Sequence, residues 1–329
     1  MATSSTTLVG ATAGAPASEA IRVTGLVHHY GSRRALDGVD LSIGRGELFA
    51  ILGPNGGGKT TLFRLLSTLI PLEQGSISVF GRDVVRQAAE VRRLLGVVFQ
   101  APSLDKKLTV AENLRYQGPL YGLSGARLRE ASDAMLARLG LTDRAGDLVE
   151  TLSGGLRRRV ELAKGLMHRP PVVILDEPST GLDPGARSDL WSYLRQIRDE
   201  DGVTVVLTTH LLEEADKVDR LAILDRGRLV ALDTPERLRA TVGGDSIMIE
   251  ADDAAELARA IGQRFGVATA VVDGRVRLEL AKGHEWIARL VEAFPGRVRS
   301  LTLGQPTLED VFIARTGHRF WQTAEVEHG

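Results

Sequence analysis

The stretch GPNGGGKTTL, residues 53–62, sets three consecutive glycines directly before a lysine and two threonines. Gly53, four residues, then Gly58, Lys59 and Thr60 fit the pattern G-x-x-x-x-G-K-[ST]. A loop bent round a phosphate chain must turn its amides inward, often at positive φ, where glycine carries no Cβ penalty. Gly53, Pro54, Asn55, Gly56, Gly57 and Gly58 form that loop, and the helix after it adds free N–H groups and its dipole. Lys59 brings a point charge to the terminal phosphates. The Thr60 hydroxyl is offered to Mg²⁺, and Thr61 completes the nucleotide-binding stretch. A glycine-rich strand-to-helix turn with a surface lysine is the plainer account. The buried run before the loop and the leucine-spaced helix after it favour phosphate binding.

Two carboxylates come next. VVILDEP leaves Asp176 and Glu177 at the exit of an apolar run, and parallel sheets gather ligands at the carboxyl ends of their strands. Asp176 can hold Mg²⁺ through water. Glu177 can orient or activate an attacking water. Alone, such a pair reads as a polar strand end capping the next helix; beside a phosphate loop that account is the weaker one. In TLSGGLRRRVELAKGL, Ser153, Gly154 and Gly155 open a helical run and make a second anion site. Of Arg157, Arg158 and Arg159, at least two read as a solvated basic face rather than a phosphate clamp.

The elements that must position these groups alternate along the chain. Strands are expected at residues 21–30, 39–43, 48–52 and 95–100, with a hairpin region in GSISVFGRDV. A helical pattern covers about 109–141 and opens on Thr109 and Glu112 as a capping box. Further buried strands, PPVVILDEP and GVTVVLTTH, alternate with helices, and a strand pair turns at Arg226-Gly227. This is α/β architecture around a mostly parallel sheet. TVGGDS reads as a linker, with a boundary near residue 243. Beyond it the order is βαββαβ, a ferredoxin-like pattern, with a turn at Asp273-Gly274. A last helix follows, and Leu308, Val311 and Phe312 on it are spaced to pack back on the first domain.

The 329 residues exceed one usual core. Their 41 basic and 42 acidic side chains give a net charge of −1, which does not support bulk attraction to nucleic acid or to a membrane surface. Without cysteine, disulfides and thiolate metal sites are excluded. No apolar run reaches the ~18 residues a membrane span needs. Residues 1–19, rich in Ala, Ser, Thr and Gly, lack the pattern of a signal peptide and read as a disordered tail.

LSGG just ahead of VVILDE, together with the phosphate loop and ILDEPSTGLD, resembles the ATP-binding-cassette (ABC) ATPases over about residues 20–240. The resemblance implies a P-loop cassette with a RecA-like core and antiparallel β and helical subdomains. A small α+β, ferredoxin-like domain at 244–317 and a tail at 318–329 would follow a cassette at 20–243. It also implies residue roles. Tyr30 would stack on adenine. Gln100 would sense Mg²⁺, alongside Thr60 and Asp176, and face the membrane partner. Glu177 would be the catalytic glutamate, and His210 the switch histidine on the γ-phosphate. Asp183 would lie at the dimer interface. Ser153, Gly154 and Gly155 would act in trans on the nucleotide of a second cassette. Without the resemblance, His210 is an ordinary strand-end histidine. His28 and His29 carry no role and are expected on the surface.

Two positions depart from the family pattern. Leu156 stands where many cassettes have glutamine. Gly57 stands where Ala, Ser or Cys is usual, and it is expected to add flexibility. LSGGLRRR, FQAPSLDKKLTVAENL and PTLEDVFIARTG are similar to the daunorubicin-resistance type of exporter ATPase. In that type the permease is a separate polypeptide. The implied function is ATP-driven closure of a head-to-tail cassette dimer, a homodimer in the simplest case, on the cytoplasmic face of the plasma membrane. ATP and Mg²⁺ are the implied ligands. A non-transport ABC ATPase acting on DNA or ribosomes is the alternative. It is disfavoured by the compact segment 61–152, the single cassette and the near-neutral charge, so no direct nucleic-acid contact is expected. A regulatory module without turnover is disfavoured by the presence of Glu177 and His210. The transported molecule, whether drug, lipid, polysaccharide or ion, is chosen by the permease.

Overall fold

A computed structural model describes residues 19–242, 244–280, 282–304 and 306–320. The expected N-terminal tail lies outside the described residues except for Glu19. So do residue 243, at the expected boundary, and residues 321–329.

The strands Leu48–Leu52, Val172–Asp176 and Thr204–Thr209 are buried at every position. Apolar and β-branched runs without polar alternation suit a sheet covered on both faces. Leu48, Ala50 and Leu52 enter one core, and Phe49 and Ile51 enter another on the opposite face. The six-stranded sheet runs in the order Arg228–Asp233, Arg220–Asp225, Leu48–Leu52, Thr204–Thr209, Val172–Asp176, Leu95–Val98. All pairings are parallel except the edge hairpin of the first two strands. Register sets Leu52 beside Thr209 and Asp176 beside Thr208, so the carboxyl ends of three strands open together. The phosphate loop and the paired carboxylates meet there.

A four-stranded antiparallel sheet packs on one face through Glu19–Tyr30, Arg33–Gly44, Gln74–Val79 and Arg82–Asp83. Tyr30 pairs with Arg33 at a hairpin tip. His28 corrects the expectation of a surface residue. It follows Leu26 on the inward face of its strand and is 4% exposed. Its Nδ1 lies 3.4 Å from Glu73 Oε1, and the His29 amide donates to Glu73 at 2.9 Å.

The helical pattern expected over 109–141 is broken. A helix spans Val110–Gln117, a 3-10 turn Gly118–Tyr121, and a second helix Gly125–Arg138. Pro119 lacks an amide donor and crowds the carbonyl four residues back, which ends the first helix. The capping box of Thr109 and Glu112 is present.

The C-terminal strands Asp245–Glu250, Thr269–Val272, Arg275–Leu280 and Ser300–Gly304 form an antiparallel sheet. Their spatial order is second, third, first, fourth, the ferredoxin-like arrangement. Helices Ala254–Phe265 and His284–Ala293 close its core against Ile247, Ile249, Val276 and Leu278. Asp273 and Gly274 both take positive φ, 50° and 74°, as a two-residue hairpin turn requires. The last helix, Leu308–Thr316, joins the other core. Its Leu308, Val311 and Phe312 share a cluster with Leu238, Ala215 and Leu221 of the first domain. Phe320, expected within a tail, is 1% exposed in that same cluster. Arg277 on the small sheet pairs with Asp310 at 2.5 Å, so the helix is gripped from both sides.

Candidate nucleotide site

The strand Leu48–Leu52 delivers the chain into the phosphate loop. At Gly53 a Cβ would stand 2.4 Å from Leu224 O, so no side chain fits. Gly58 takes φ 107°, where any other residue is strained, and a Cβ there would meet Ala35 O at 2.8 Å. Gly57, expected to add flexibility, is bonded through both of its main-chain groups. Its amide donates to Pro54 O at 3.1 Å and its carbonyl accepts from the Gly227 amide at 3.0 Å. The loop is clasped on both sides at that residue.

Lys59 is 4% exposed. Its Nζ donates to Gly53 O at 2.8 Å and Pro54 O at 3.1 Å, and lies 3.7 Å from Glu177 Oε1. Burial lowers its pKa, opposed by the charges of Glu177 and Asp176. Asp176 is buried and accepts from Thr208 Oγ1 at 2.5 Å. Burial pushes its carboxyl up, and the Thr208 hydroxyl pulls it back. Thr208 Oγ1 also accepts from the Glu177 amide at 3.0 Å.

Glu177 takes φ 42°, a left-handed conformation that costs a non-glycine residue on the order of 1 kcal/mol or more. Its Oε2 collects Gln100 Nε2 at 3.2 Å, Thr180 Oγ1 at 3.3 Å and His210 Nδ1 at 3.1 Å. One carboxylate is therefore reached from three other segments, counting Lys59, and from its own turn. These groups line a cleft of about 470 Å³. Tyr30, Asn55, Gly56, Gly58, Thr60 and Thr61 line it as well, with Tyr30 at the rim, 45% exposed. Gly53, Pro54, Gly57 and Asp176 stand behind that lining.

Ser153, Gly154, Gly155 and Asp183 are not part of this cleft. Ser153 caps the helix Gly154–Leu166, its Oγ accepting from the Leu156 amide at 3.3 Å. Asp183 caps Pro184–Asp201, accepting from the Ala186 amide at 2.9 Å. Leu156 packs against the core, which accounts for an apolar side chain at that position.

Two residues, Arg33 and Thr208, escaped the sequence reading, and which of the three arginines leaves the solvated face was not legible. Arg33 lines the cleft and donates to Gly56 O at 3.2 Å. Thr208 orders both carboxylate-bearing residues. Of the three arginines, Arg158 is the buried one. It donates to Pro178 O at 2.8 Å, Phe99 O at 2.7 Å and Asp176 O at 3.4 Å, and pairs with buried Glu161 at 2.7 Å. The spacing of three between Arg158 and Glu161 on a helix was the available signal.

Two family profiles match the chain. One, described as ABC transporter, covers residues 36–180; the other, the C-terminal domain of DrrA1-3-like ATP-binding proteins, covers 234–316. The daunorubicin resistance ATP-binding protein DrrA2 of Streptomyces coeruleorubidus is 40% identical, over 94% of this chain and 98% of the relative. The chain belongs to the ABC transporter family of ATP-binding proteins. The linearmycin resistance ATP-binding protein LnrL of Bacillus subtilis is 33% identical to this ABC protein, over 88% of the chain and 95% of the relative. Among solved structures, cbiO1 of Clostridium perfringens, part of the ABC transporter complex cbiONQ, superposes with a TM-score of 0.63 at 27% identity. That match covers 76% of this chain and 96% of cbiO1. This chain is thus an ATP-hydrolysing subunit of an ABC transporter. Nothing in the comparisons favours the alternative that acts on DNA or ribosomes. No helix among the described residues is long and apolar enough to cross a membrane.

Proposed function

We propose that the cleft binds ATP with Tyr30 on the adenine and residues 53–61 round the phosphates, and that Glu177 directs water at the γ-phosphate. The observation that carries this reading is the convergence of Lys59, Gln100, Thr180 and His210 on the Glu177 carboxylate. A general base needs to be oriented by neighbours and to lie within reach of the phosphate-binding group. His210 at 3.1 Å can hold that carboxylate and report on its occupancy.

The residues present fit Mg²⁺. The Thr60 hydroxyl, the Gln100 amide oxygen and the Asp176 carboxylate are hard oxygen donors. Burial penalises the charge on Asp176, and a nearby cation relieves that penalty. When bound, Mg²⁺ supplies positive charge against the β- and γ-phosphates. Asp176 sits behind the cleft wall and would serve through water.

Ser153, Gly154 and Gly155 stand outside their own cleft, which supports a role on the nucleotide of a second copy in a head-to-tail homodimer. Asp183 would lie in that interface. The cassette, at residues 20–243, would drive a separately encoded permease from the cytoplasmic face of the membrane. The relatives are named for resistance to daunorubicin and linearmycin. By that likeness the cargo is an organic molecule of antibiotic type and the direction is export.

The test is a pull-down of the tagged protein from detergent-solubilised host membranes, with ATP and without. Co-purification of a multi-span membrane protein is expected. Recovery of ribosomes or DNA instead would overturn the transport assignment.

A further inference from the structure

The Arg226-Gly227 turn is the floor of the phosphate loop. Arg226 and Gly227 take φ 48° and 79°, the two positive values of a tight hairpin turn. The Gly227 amide donates to Gly57 O at 3.0 Å, and Gly227 O accepts from the Asp37 amide at 2.9 Å. Leu224 O lies where a side chain at Gly53 would have to go. Asp225 sits between these two contacts. Its carboxylate meets the C-terminal segment, with Oδ2 3.1 Å from Nε2 of His318.

His318 comes from beyond the last helix, 93 residues further along the chain. Neither side chain is freely solvated, at 11% exposure for Asp225 and 22% for His318. The imidazole meets the Phe312 ring edge-on at 5.2 Å, and Phe312 meets buried Phe320 at 4.9 Å. The His318 amide donates to Thr316 Oγ1 at 3.4 Å. His318 is therefore held in place by the helix end and hands one ring nitrogen to the strand end under the nucleotide loop.

We propose that His318 is a positioning residue for ATP binding, acting through Asp225 and the Arg226-Gly227 turn on Gly53 and Gly57. The proposal rests on the nucleotide-site reading above. It makes the C-terminal segment part of the support of the phosphate loop. Losing the His318 contact frees the turn, and the loop amides then spend less time in the arrangement that fits phosphate.

The test is ATP and ADP binding by calorimetry on the purified full-length chain with Mg²⁺. His318→Ala is expected to raise both Kd values about threefold to tenfold, the usual size of such coupling. His318→Gln keeps a side-chain N–H toward Asp225 and should restore most of the affinity. Asp225→Ala should match His318→Ala, and the double variant should bind no more weakly than either single one. Unchanged Kd values with only a lowered Tm would overturn the proposal, as would a double variant whose losses add. Lys59→Ala is measured alongside. If it binds ATP as tightly as wild type, the nucleotide-site reading fails, a result distinct from failure of the His318 coupling.

Discussion

Lys59 and Glu177 face each other in the proposed nucleotide cleft, ammonium to carboxylate at 3.7 Å. An incoming phosphate chain must share the lysine with that carboxylate, and its own charge is repelled by it. Glu177→Gln removes the repulsion and keeps the side-chain shape. ATP binding should persist or tighten, while turnover falls about 100-fold or more, the usual contribution of a general base. Steady-state phosphate release together with a direct Kd measurement separates the two effects. Turnover at the wild-type rate would move the base to another residue.

Asp176 trades stability for its role. Burial raises its pKa, so the folded state binds its proton more tightly than the unfolded chain does. That contribution is complete below the ordinary aspartate value of 3.8 and is lost as pH rises through the folded value. Near neutrality the ionised group therefore weakens the nucleotide-free protein. Asp176→Asn keeps an oxygen for Thr208 and sheds the charge. It should raise stability at pH 7 by about 0.5–2 kcal/mol and abolish stabilisation by Mg²⁺-nucleotide. A lower Tm for the variant in nucleotide-free buffer would refute the burial argument.

His168 makes a pH prediction with the opposite sign. Its ring stacks on Tyr121 with centroids 3.7 Å apart, and Nε2 lies 3.1 Å from Leu95 O. Burial pushes its pKa down from 6.5 to about 4. The neutral ring is what the fold accepts, so this contribution is present above pH 6.5 and is lost as pH falls toward 4. The span is worth about 2 kcal/mol once partial solvent access is allowed for. Urea titrations at several pH values should show a flatter acid limb for His168→Gln. An unchanged slope would place the acid sensitivity elsewhere.

Arg158→Ala should be the most damaging of these substitutions. It removes the guanidinium from buried Glu161, which keeps only the Ser103 amide, and leaves the carbonyls of Phe99 and Pro178 without that donor. A loss of about 3 kcal/mol or more in denaturant unfolding is expected. A change under about 0.5 kcal/mol is typical of surface sites and would show that the guanidinium is dispensable.

Much of this site was legible because its chemistry is local in sequence. The glycines of the phosphate loop and the strand exit at Asp176 each announce themselves within ten residues. The βαββαβ order was readable because its strands alternate and its turn is Asp-Gly. Partnerships that depend on distant residues were not readable. His28 looks polar in a polar stretch, yet its inward position follows from Leu26 and its partner is Glu73. Arg158 sits in a run of three arginines, and only the fold shows that one points at main-chain carbonyls. The break at Gly118 was there to be read, since Gly-Pro marks a turn; the helical spacing of apolar side chains on either side of it outweighed that signal in the reading.

A Cβ on Gly155 would stand 2.8 Å from the Cβ of Ala186, and one on Gly154 would lie 4.0 Å from Gly181 O. The starts of the helices capped by Ser153 and Asp183 thus approach closely, with only the Ala186 methyl between the Gly155 backbone and the facing helix. In the proposed head-to-tail dimer, a second copy of the chain would therefore meet these two closely approached helix starts as one patch, made without a bulky side chain at Gly154 or Gly155.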